Sequence, residues 1–129
     1  MELTVLKESA AKFSVEVVDN KYYLLLLNQD VEFNIKDLES LVTAEREIGG
    51  QKLPVLVLCP PTATTNVDLL QALSKNKNNP YSTADIFVIS SIAQKILANF
   101  YLKINKPERP TRFFTDETQA REWMKQFIQ

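Results

Sequence analysis

The second half of the chain repeats one pattern three times: a short apolar run suited to a β-strand, followed by a segment with helical spacing. The three apolar runs are residues 55–59, 86–89 and 112–114, and residues 66–74 form the first of the helical segments. Strands that alternate with helices are joined by right-handed crossovers and lie parallel in one sheet. The pattern therefore predicts an α/β fold with a mostly parallel sheet.

The first third of the chain has the pattern of a β-hairpin. Apolar and polar side chains alternate over residues 13–18, Asp19-Asn20 favours a turn, and residues 22–27 are apolar on both faces. A strand that is apolar on both faces belongs in the interior of a sheet. We therefore expect a mixed sheet with an N-terminal antiparallel hairpin, and residues 2–8 as either a further edge strand or a loose arm.

A helix is predicted after the hairpin, from the N-cap Asn34 to the stop signal Gly49-Gly50. Asp37 stands three residues after the cap, where its side chain can hydrogen-bond back to the cap. Glu45 is the one residue that interrupts the apolar face of this helix. The apolar positions of that face are Leu38, Leu41, Val42 and Ile48. With the helices of the second half, about four helices are expected.

The last two predicted helices each have an apolar face at helical spacing. We expect Ser91 to cap the first of them and Thr115 to cap the second. The predicted core-facing positions are Ala93, Ile96, Leu97 and Phe100 in the first, and Ala120, Trp123, Met124 and Phe127 in the second.

The residue inventory excludes several common chemistries. The 129 residues include no His, one Cys and only two Gly, which are adjacent at Gly49-Gly50. No Ser-His-Asp or Cys-His arrangement and no ordinary zinc site can be built from them. A GxGxxG loop or a P-loop is likewise impossible. We therefore expect a single non-enzymatic domain over residues 1–129, without cofactor or metal.

The same residue inventory suggests the cellular location of the protein. Cys59 has no partner for a disulfide, so a reducing compartment is expected, with Cys59 as a buried, inert thiol. The N-terminus lacks the pattern of a signal peptide, and the longest strongly apolar run, residues 22–27, is too short to span a membrane. The net charge of −1 gives no support to nucleic-acid binding. We therefore predict a cytoplasmic protein with no transmembrane segment.

The last third of the chain resembles a known family. Residues 83–91, TADIFVISS, precede the link NFYLKINKPERPTRFFTD of residues 99–116, and an A-x-x-W pair follows at Ala120 and Trp123. This succession resembles the bacterial SpoIIAA-like family, which shares the STAS fold of anti-sigma-factor antagonists. The resemblance covers about residues 83–124 and implies a SpoIIAA-like (STAS-type) fold and a regulatory, protein-binding role.

The chain departs from the STAS regulators at their phosphorylation site. Those proteins have an Asp-Ser-Ser-Gly stretch at the start of the helix after the third strand, where a Ser receives a phosphate. The corresponding residues here are about 64–69, TTNVDL, with neither the Ser nor the Gly. Thr64 and Thr65 are the hydroxyls left at that place. A direct role in a sigma-factor cascade is therefore not expected.

Hydroxyl side chains gather where predicted strands end and helices begin. Ligands of parallel sheets bind beyond the strand ends, and helix N-termini favour anions. The structural alternative is that these hydroxyls cap helices. The candidate residues of this ligand or anion site are Thr62, Thr64, Thr65, Ser90, Ser91 and Thr115, with Arg112 as a partly buried cation.

The link before the last strand is the candidate interaction surface. Its aromatic and cationic residues are Phe100, Tyr101, Lys103 and Arg109. Exposed aromatic side chains favour a protein interface. The structural alternative is that the aromatic residues belong to the core and that the cations are solvated or bind backbone carbonyls.

Two functions fit these observations. The first is a non-catalytic protein-interaction or regulatory module, as the resemblance implies, with an unidentified protein partner. The second is a carrier or sensor of a small apolar or anionic ligand at the carboxyl ends of the strands. The aromatic residues of the C-terminal half fit either ordinary core or a pocket for an apolar ligand, as in the lipid-carrying CRAL-TRIO proteins sometimes grouped with this family. These residues are Phe87, Phe100, Tyr101, Phe113, Phe114 and Trp123. Self-association into a homodimer, through the hairpin edge or the last helix, is compatible with both.

Overall fold

A computed structural model describes residues 3–6 and 12–128 of the chain, with backbone only for residues 3–6. Of the predicted N-terminal strand or arm, residues 3–6 form a strand at the sheet edge, whereas residues 2, 7 and 8 lie outside the described ranges.

The described residues form eight strands and four α-helices. The strands are β1 (Leu3–Leu6), β2 (Phe13–Val18), β3 (Tyr22–Leu27), β4 (Glu32–Phe33), β5 (Leu53–Leu58), β6 (Thr64–Thr65), β7 (Ser82–Val88) and β8 (Thr111–Phe114). The α-helices are α1 (Ile35–Glu47), α2 (Val67–Leu73), α3 (Ile92–Phe100) and α4 (Glu117–Met124). Short helical turns occupy Asn76–Asn78, Tyr101–Asn105 and Lys125–Phe127, and the second of these, a π-helical turn, continues α3.

Six strands form one mixed sheet in the order β1-β2-β3-β5-β7-β8. The pairs β1–β2 and β2–β3 are antiparallel, and the pairs β3–β5, β5–β7 and β7–β8 are parallel. Strands β4 and β6 form a separate short parallel pair. The predicted α/β fold, with a mostly parallel sheet, an N-terminal antiparallel hairpin and four helices, is confirmed. Strand β3 lies in the interior, as its apolar pattern predicts.

Helices cover both faces of this sheet, so the fold has three layers. Helices α1, α2 and α3 contribute to the core on one face, and α4 contributes to the core on the other. The first core includes Tyr23, Leu25, Val55, Val57, Leu41 and Leu70. The second includes Leu56, Ala84, Ile86, Ala120 and Met124. Because adjacent side chains of a strand point to opposite faces, Leu56 and Val57 belong to different cores.

Helix α1 begins and ends where its sequence predicts. The Asn34 side chain accepts from the Asp37 N–H at 3.1 Å, and Asp37 Oδ2 accepts from the Asn34 N–H at 2.8 Å. Lys12 adds an ion pair to Asp37 at 3.0 Å. Gly50, with φ of +62°, follows the helix in the left-handed conformation that glycine adopts without strain.

The predicted core-facing side of α3 is right for Leu97, which packs against the core, and wrong for the other three residues. Ile96 is 63% exposed and Phe100 is 37% exposed, and Ala93 is also exposed. The side that faces the sheet contains Gln94, Leu97 and Ala98. The helix is thus rotated away from its most apolar side.

The physical reason for this rotation is the Gln94 side chain. Its Nε2 donates to the carbonyl oxygens of Pro60 at 2.7 Å and Ala63 at 2.8 Å, while its Oε1 accepts from the backbone N–H of Ser91 at 3.1 Å. A polar side chain can be buried when its donors and acceptors are satisfied in this way. The hydrophobic pattern gives no information about such bonds.

The predicted cap of the last helix is displaced by one residue. The N-cap of α4 is Asp116, whose Oδ1 accepts from the N–H groups of Thr118 at 2.7 Å and Gln119 at 3.4 Å. Thr115 is exposed and precedes the cap. A carboxylate is also the better cap electrostatically, because it faces the positive end of the helix dipole. Ser91 does cap α3, as predicted.

Candidate functional site

The hydroxyls at the carboxyl ends of the strands mainly hold loops and helix ends together. Thr62 Oγ1 accepts from the Asp30 N–H at 2.9 Å, and the Thr65 hydroxyl donates to the Phe33 carbonyl at 2.5 Å. Ser91 Oγ accepts from the Gln94 N–H at 3.1 Å. The remaining hydroxyls, on Thr64, Ser90 and Thr115, are on exposed residues. These contacts supply the structural roles that were the alternative to an anion site.

Arg112 lies apart from those hydroxyls and is exposed, not partly buried as expected. Its guanidinium carbon is 4.9 Å from the ring centroid of Phe114 and 5.9 Å from that of Trp123. A guanidinium over an aromatic face is a cation–π contact, which is stable in water and does not require burial. Arg112 therefore covers the aromatic residues on the α4 side of the sheet.

The predicted interaction surface divides into two parts. Phe100 and Lys103 are exposed, in agreement with a surface role. Tyr101 is fully buried and Arg109 is 5% exposed, so neither is available to a partner of the folded chain. The two buried residues instead lie in the interior, where Arg109 is compensated by an acidic side chain.

That acidic side chain is Asp85 on β7. Arg109 Nε lies 2.8 Å from Asp85 Oδ2, and Nη1 donates to Asn76 Oδ1 at 2.9 Å. Nη2 donates to the carbonyl of Leu73, and Ser82 Oγ donates to the other Asp85 oxygen at 2.5 Å. Each of the three guanidinium nitrogens of Arg109, and both oxygens of Asp85, therefore already have a partner within the protein.

A cavity of about 110 Å³ lies between the sheet and helices α1, α2 and α3. Its walls are predominantly apolar. Among the lining residues are Leu25, Val57, Leu41, Leu70, Leu97 and Phe113. An engineered apolar cavity of about 150 Å³ is large enough to bind benzene, so this smaller volume suits a ligand of at most about six non-hydrogen atoms.

Three polar side chains of the cavity lining have atoms without a hydrogen-bond partner. They are Glu45 on α1, with both carboxyl oxygens, Asn79 before β7, with Oδ1, and Tyr101 after α3, with its hydroxyl. Glu45 and Tyr101 are fully buried, and Asn79 is 3% exposed. Buried polar atoms normally have partners, so a ligand that reaches any of these four atoms from the cavity can supply a missing hydrogen bond.

The surroundings of Glu45 favour its neutral form. Burial raises the pKa of Glu45 to about 8, the Asp85 carboxylate acts in the same direction, and Arg109 opposes them. Burial, together with Asp85, also raises the pKa of Tyr101 above its ordinary value. At neutral pH the Glu45 carboxyl group is therefore mainly protonated.

Cys59 also lines this cavity and is partly buried. Burial raises the pKa of its thiol to about 12. Since the thiolate is the nucleophile, the residue is chemically inert at neutral pH. This agrees with the inert thiol expected from the sequence.

Glu45 and Asn79 were not predicted as site residues, whereas Tyr101 was predicted to lie on an interaction surface or among aromatic residues that line an apolar pocket. One signal was present: Glu45 interrupts an otherwise apolar helix face. Asn79 and Tyr101 have no comparable signal, since one stands in an Asn-rich loop and the other among aromatic residues. Across residues 3–6 and 12–128, no group of three carboxylate or thiol side chains is placed to hold a metal ion. Within those residues, no helix has both the length and the apolar composition needed to cross a membrane.

Comparison with solved structures places the fold in the SpoIIAA-like class. The chain is similar to an uncharacterised protein of the DUF3478 family from Shewanella loihica PV-4, which has a SpoIIAA-like fold. The TM-score is 0.55 at 11% sequence identity, and the similarity covers 96% of each chain. The resemblance seen in the sequence is thus confirmed for the fold.

The family of the chain is identified by a match between its sequence and a family model. Residues 19–128 match the model of a domain of unknown function, DUF7793, and the chain belongs to that family. A comparison with curated proteins finds no match.

Proposed function

We propose that the chain is a non-catalytic binding module that holds a small, mainly apolar ligand in the cavity between the sheet and helices α1–α3. The observation that carries this proposal is the combination of apolar walls with four buried polar atoms of Glu45, Asn79 and Tyr101. It favours the carrier or sensor function, with the ligand inside the fold and not at the carboxyl ends of the strands. The unpaired Cys59 supports a reducing compartment, and the cytoplasm stays our prediction.

Energetics support a ligand in this cavity. Each buried polar group without a partner costs about 1–3 kcal/mol. A ligand that fits this cavity would also contact apolar walls that have no packing partner on the cavity side. A ligand with an apolar body and one polar group makes both kinds of contact, whereas a water molecule can bond the polar atoms but gains little from the apolar walls.

The first test measures the melting temperature with and without benzene, which probes the apolar part of the cavity. Ligands that bind only the folded state raise the melting temperature as their concentration rises. We expect a rise for the unmodified chain and none for Ala98→Leu, because Ala98 is buried and lines the cavity. Ala93→Leu is the matched control, since Ala93 is on the same helix but exposed.

Two outcomes would contradict the proposal. One is a melting temperature that benzene does not change. The other is an equal rise in Ala98→Leu, which would mean that benzene binds somewhere else.

A second candidate function, the protein-interaction or regulatory module, is supported by the outer side of α3. Ile92 is 76% exposed, Ile96 is 63% exposed, and Ile104 in the π-helical turn is 64% exposed. Residues 86–107 contain three lysines and no acidic residue. An apolar surface with lysines around it fits a partner protein that has apolar side chains bordered by carboxylates.

This candidate predicts a specific, salt-sensitive complex. A protein co-purified in a fixed ratio with the native chain should be lost from a double variant, Ile92→Ser with Ile96→Ser, and weakened by salt. Val67→Ser is a suitable control, because Val67 is 52% exposed but on α2. Light scattering of the purified chain tests whether it is a homodimer. If the unmodified chain is a dimer and the double variant is a monomer, the partner on this surface is a second copy of the chain.

A further inference from the structure

We infer that the cavity selects a small apolar amine, whose ammonium group is bound by Glu45, Asn79 and Tyr101. This inference rests on the proposed function and specifies its ligand class.

Once Glu45 is ionised, the polar atoms of the cavity are mainly hydrogen-bond acceptors. The atoms without a partner are Glu45 Oε1 and Oε2, Asn79 Oδ1 and the Tyr101 hydroxyl oxygen. Three of these four atoms belong to carboxyl or amide groups, and the fourth can also accept. A primary ammonium group offers three N–H donors, whereas an alcohol offers one. The cavity therefore complements an ammonium group better than a hydroxyl group.

The charged groups around Glu45 also favour an amine as the ligand. Asp85 from β7 and Arg109 from the link before β8 form a buried ion pair and compensate each other. Tyr101 is neutral, and the Tyr23 hydroxyl from β3 donates to the Gln51 carbonyl at 2.6 Å. Ionised Glu45 is thus the one uncompensated charge of this group. A ligand with one positive charge balances it, since a buried charge is stable only when paired.

A carboxylate ligand is disfavoured by the same arrangement. Its counter-charge would have to come from Arg109, and each guanidinium nitrogen of Arg109 already donates to Asp85, Asn76 or Leu73. The anionic ligand considered from the sequence is therefore not the one that this cavity fits.

Binding involves a defined proton balance. Near neutral pH the free amine is an ammonium ion and Glu45 holds a proton. When the ammonium ion enters, Glu45 gives its proton to solvent, and a neutral ion pair remains in the cavity. No covalent bond forms. One proton should therefore be released for each amine bound near neutral pH.

The test compares three ligands with the same five-carbon skeleton: 3-methylbutylamine, 3-methylbutan-1-ol and 3-methylbutanoate. Isothermal titration calorimetry in two buffers of different ionisation enthalpy gives both the affinity and the number of protons released. We expect the amine to bind at least about tenfold more tightly than the alcohol, the carboxylate not to bind, and close to one proton to be released. Glu45→Gln should lose both the amine preference and the proton release. Tyr101→Phe should weaken amine binding less.

The outcomes separate the two proposals. Benzene binding with no preference for the amine, or an amine affinity that Glu45→Gln leaves unchanged, overturns the ligand class and leaves the cavity function intact. Amine binding that persists in Ala98→Leu would mean that the amine binds at the surface, and this result also overturns the ligand class. Absence of both benzene and amine binding overturns the proposed function.

Discussion

Arg109 Nε lies 2.8 Å from Asp85 Oδ2, and each side chain of this ion pair is 3% exposed. The pair joins the link before β8 to strand β7, and the other donors of Arg109 reach Asn76 and the carbonyl of Leu73 at the end of α2. Four segments of the fold therefore meet at one guanidinium group. The arrangement needs the planar, five-donor geometry of arginine.

The first prediction concerns the removal of this group. Arg109→Met should lower the free energy of unfolding by about 3–5 kcal/mol, because it leaves the Asp85 carboxylate buried without its counter-ion. Arg109→Lys should recover only part of the loss, since an ammonium group cannot make the same set of bonds. Urea unfolding measures both. Arg112→Met is the matched control, and a loss there as large as at Arg109 would show that burial of the ion pair is not the cause.

The second prediction concerns stability and pH. The pKa of Glu45 is raised to about 8 in the folded chain, so the folded state holds this proton more tightly than the unfolded state does. Stability must then fall as the pH rises from about 4.5 to about 8, by on the order of 3–5 kcal/mol from this group. Urea unfolding across that range measures the decrease. Glu45→Gln should reduce the decrease by this amount and be the more stable form at pH 8.

The Glu45→Gln variant shows whether Glu45 or another acidic group causes the loss of stability with rising pH. A decrease of equal size in Glu45→Gln and in the unmodified chain would mean that another group causes it. Glu39→Gln is a suitable control, because Glu39 is exposed on the same helix.

The sequence was sufficient to predict strands β2, β3, β5, β7 and β8 and the four helices in their chain order, but not the short β4–β6 pair. Periodicity of two and of about 3.6 residues locates the strands and helices, and cap residues such as Asn34 fix the helix ends. Thr115 shows the limit of this method. Where Thr and Asp are adjacent, the backbone decides which of them becomes the cap, and Asp116 is the one that caps α4.

The candidate site was harder to predict because it depends on contacts between residues distant in sequence. Gln94 is buried by bonds to carbonyls 31 and 34 positions away, and Arg109 pairs with a carboxylate 24 positions away. No local pattern records such contacts. Glu45 was visible as an interruption of an apolar face, but the sequence does not show that a cavity lies in front of it.

The third prediction separates capping from ligand binding at the strand ends. Ser91→Ala should lower the free energy of unfolding by about 1 kcal/mol, because it removes the side-chain acceptor for the Gln94 N–H. Ser90→Ala should change it by less than about 0.5 kcal/mol, because Ser90 is exposed. Neither should alter benzene binding. A change in ligand affinity with unchanged stability in Ser91→Ala would instead support a ligand site at the carboxyl ends of the strands.

The fourth prediction uses Cys59 as a reporter of the cavity. Burial raises the pKa of its thiol to about 12, so the thiolate fraction near pH 8 is roughly a thousandfold below that of an ordinary cysteine. Reaction with a disulfide reagent should therefore be very slow in the folded chain and fast in urea. Because Cys59 lines the cavity, benzene should slow the reaction further in the unmodified chain but not in Ala98→Leu. Fast labelling of the folded chain, unaffected by benzene, would mean that Cys59 is open to solvent and separate from the cavity.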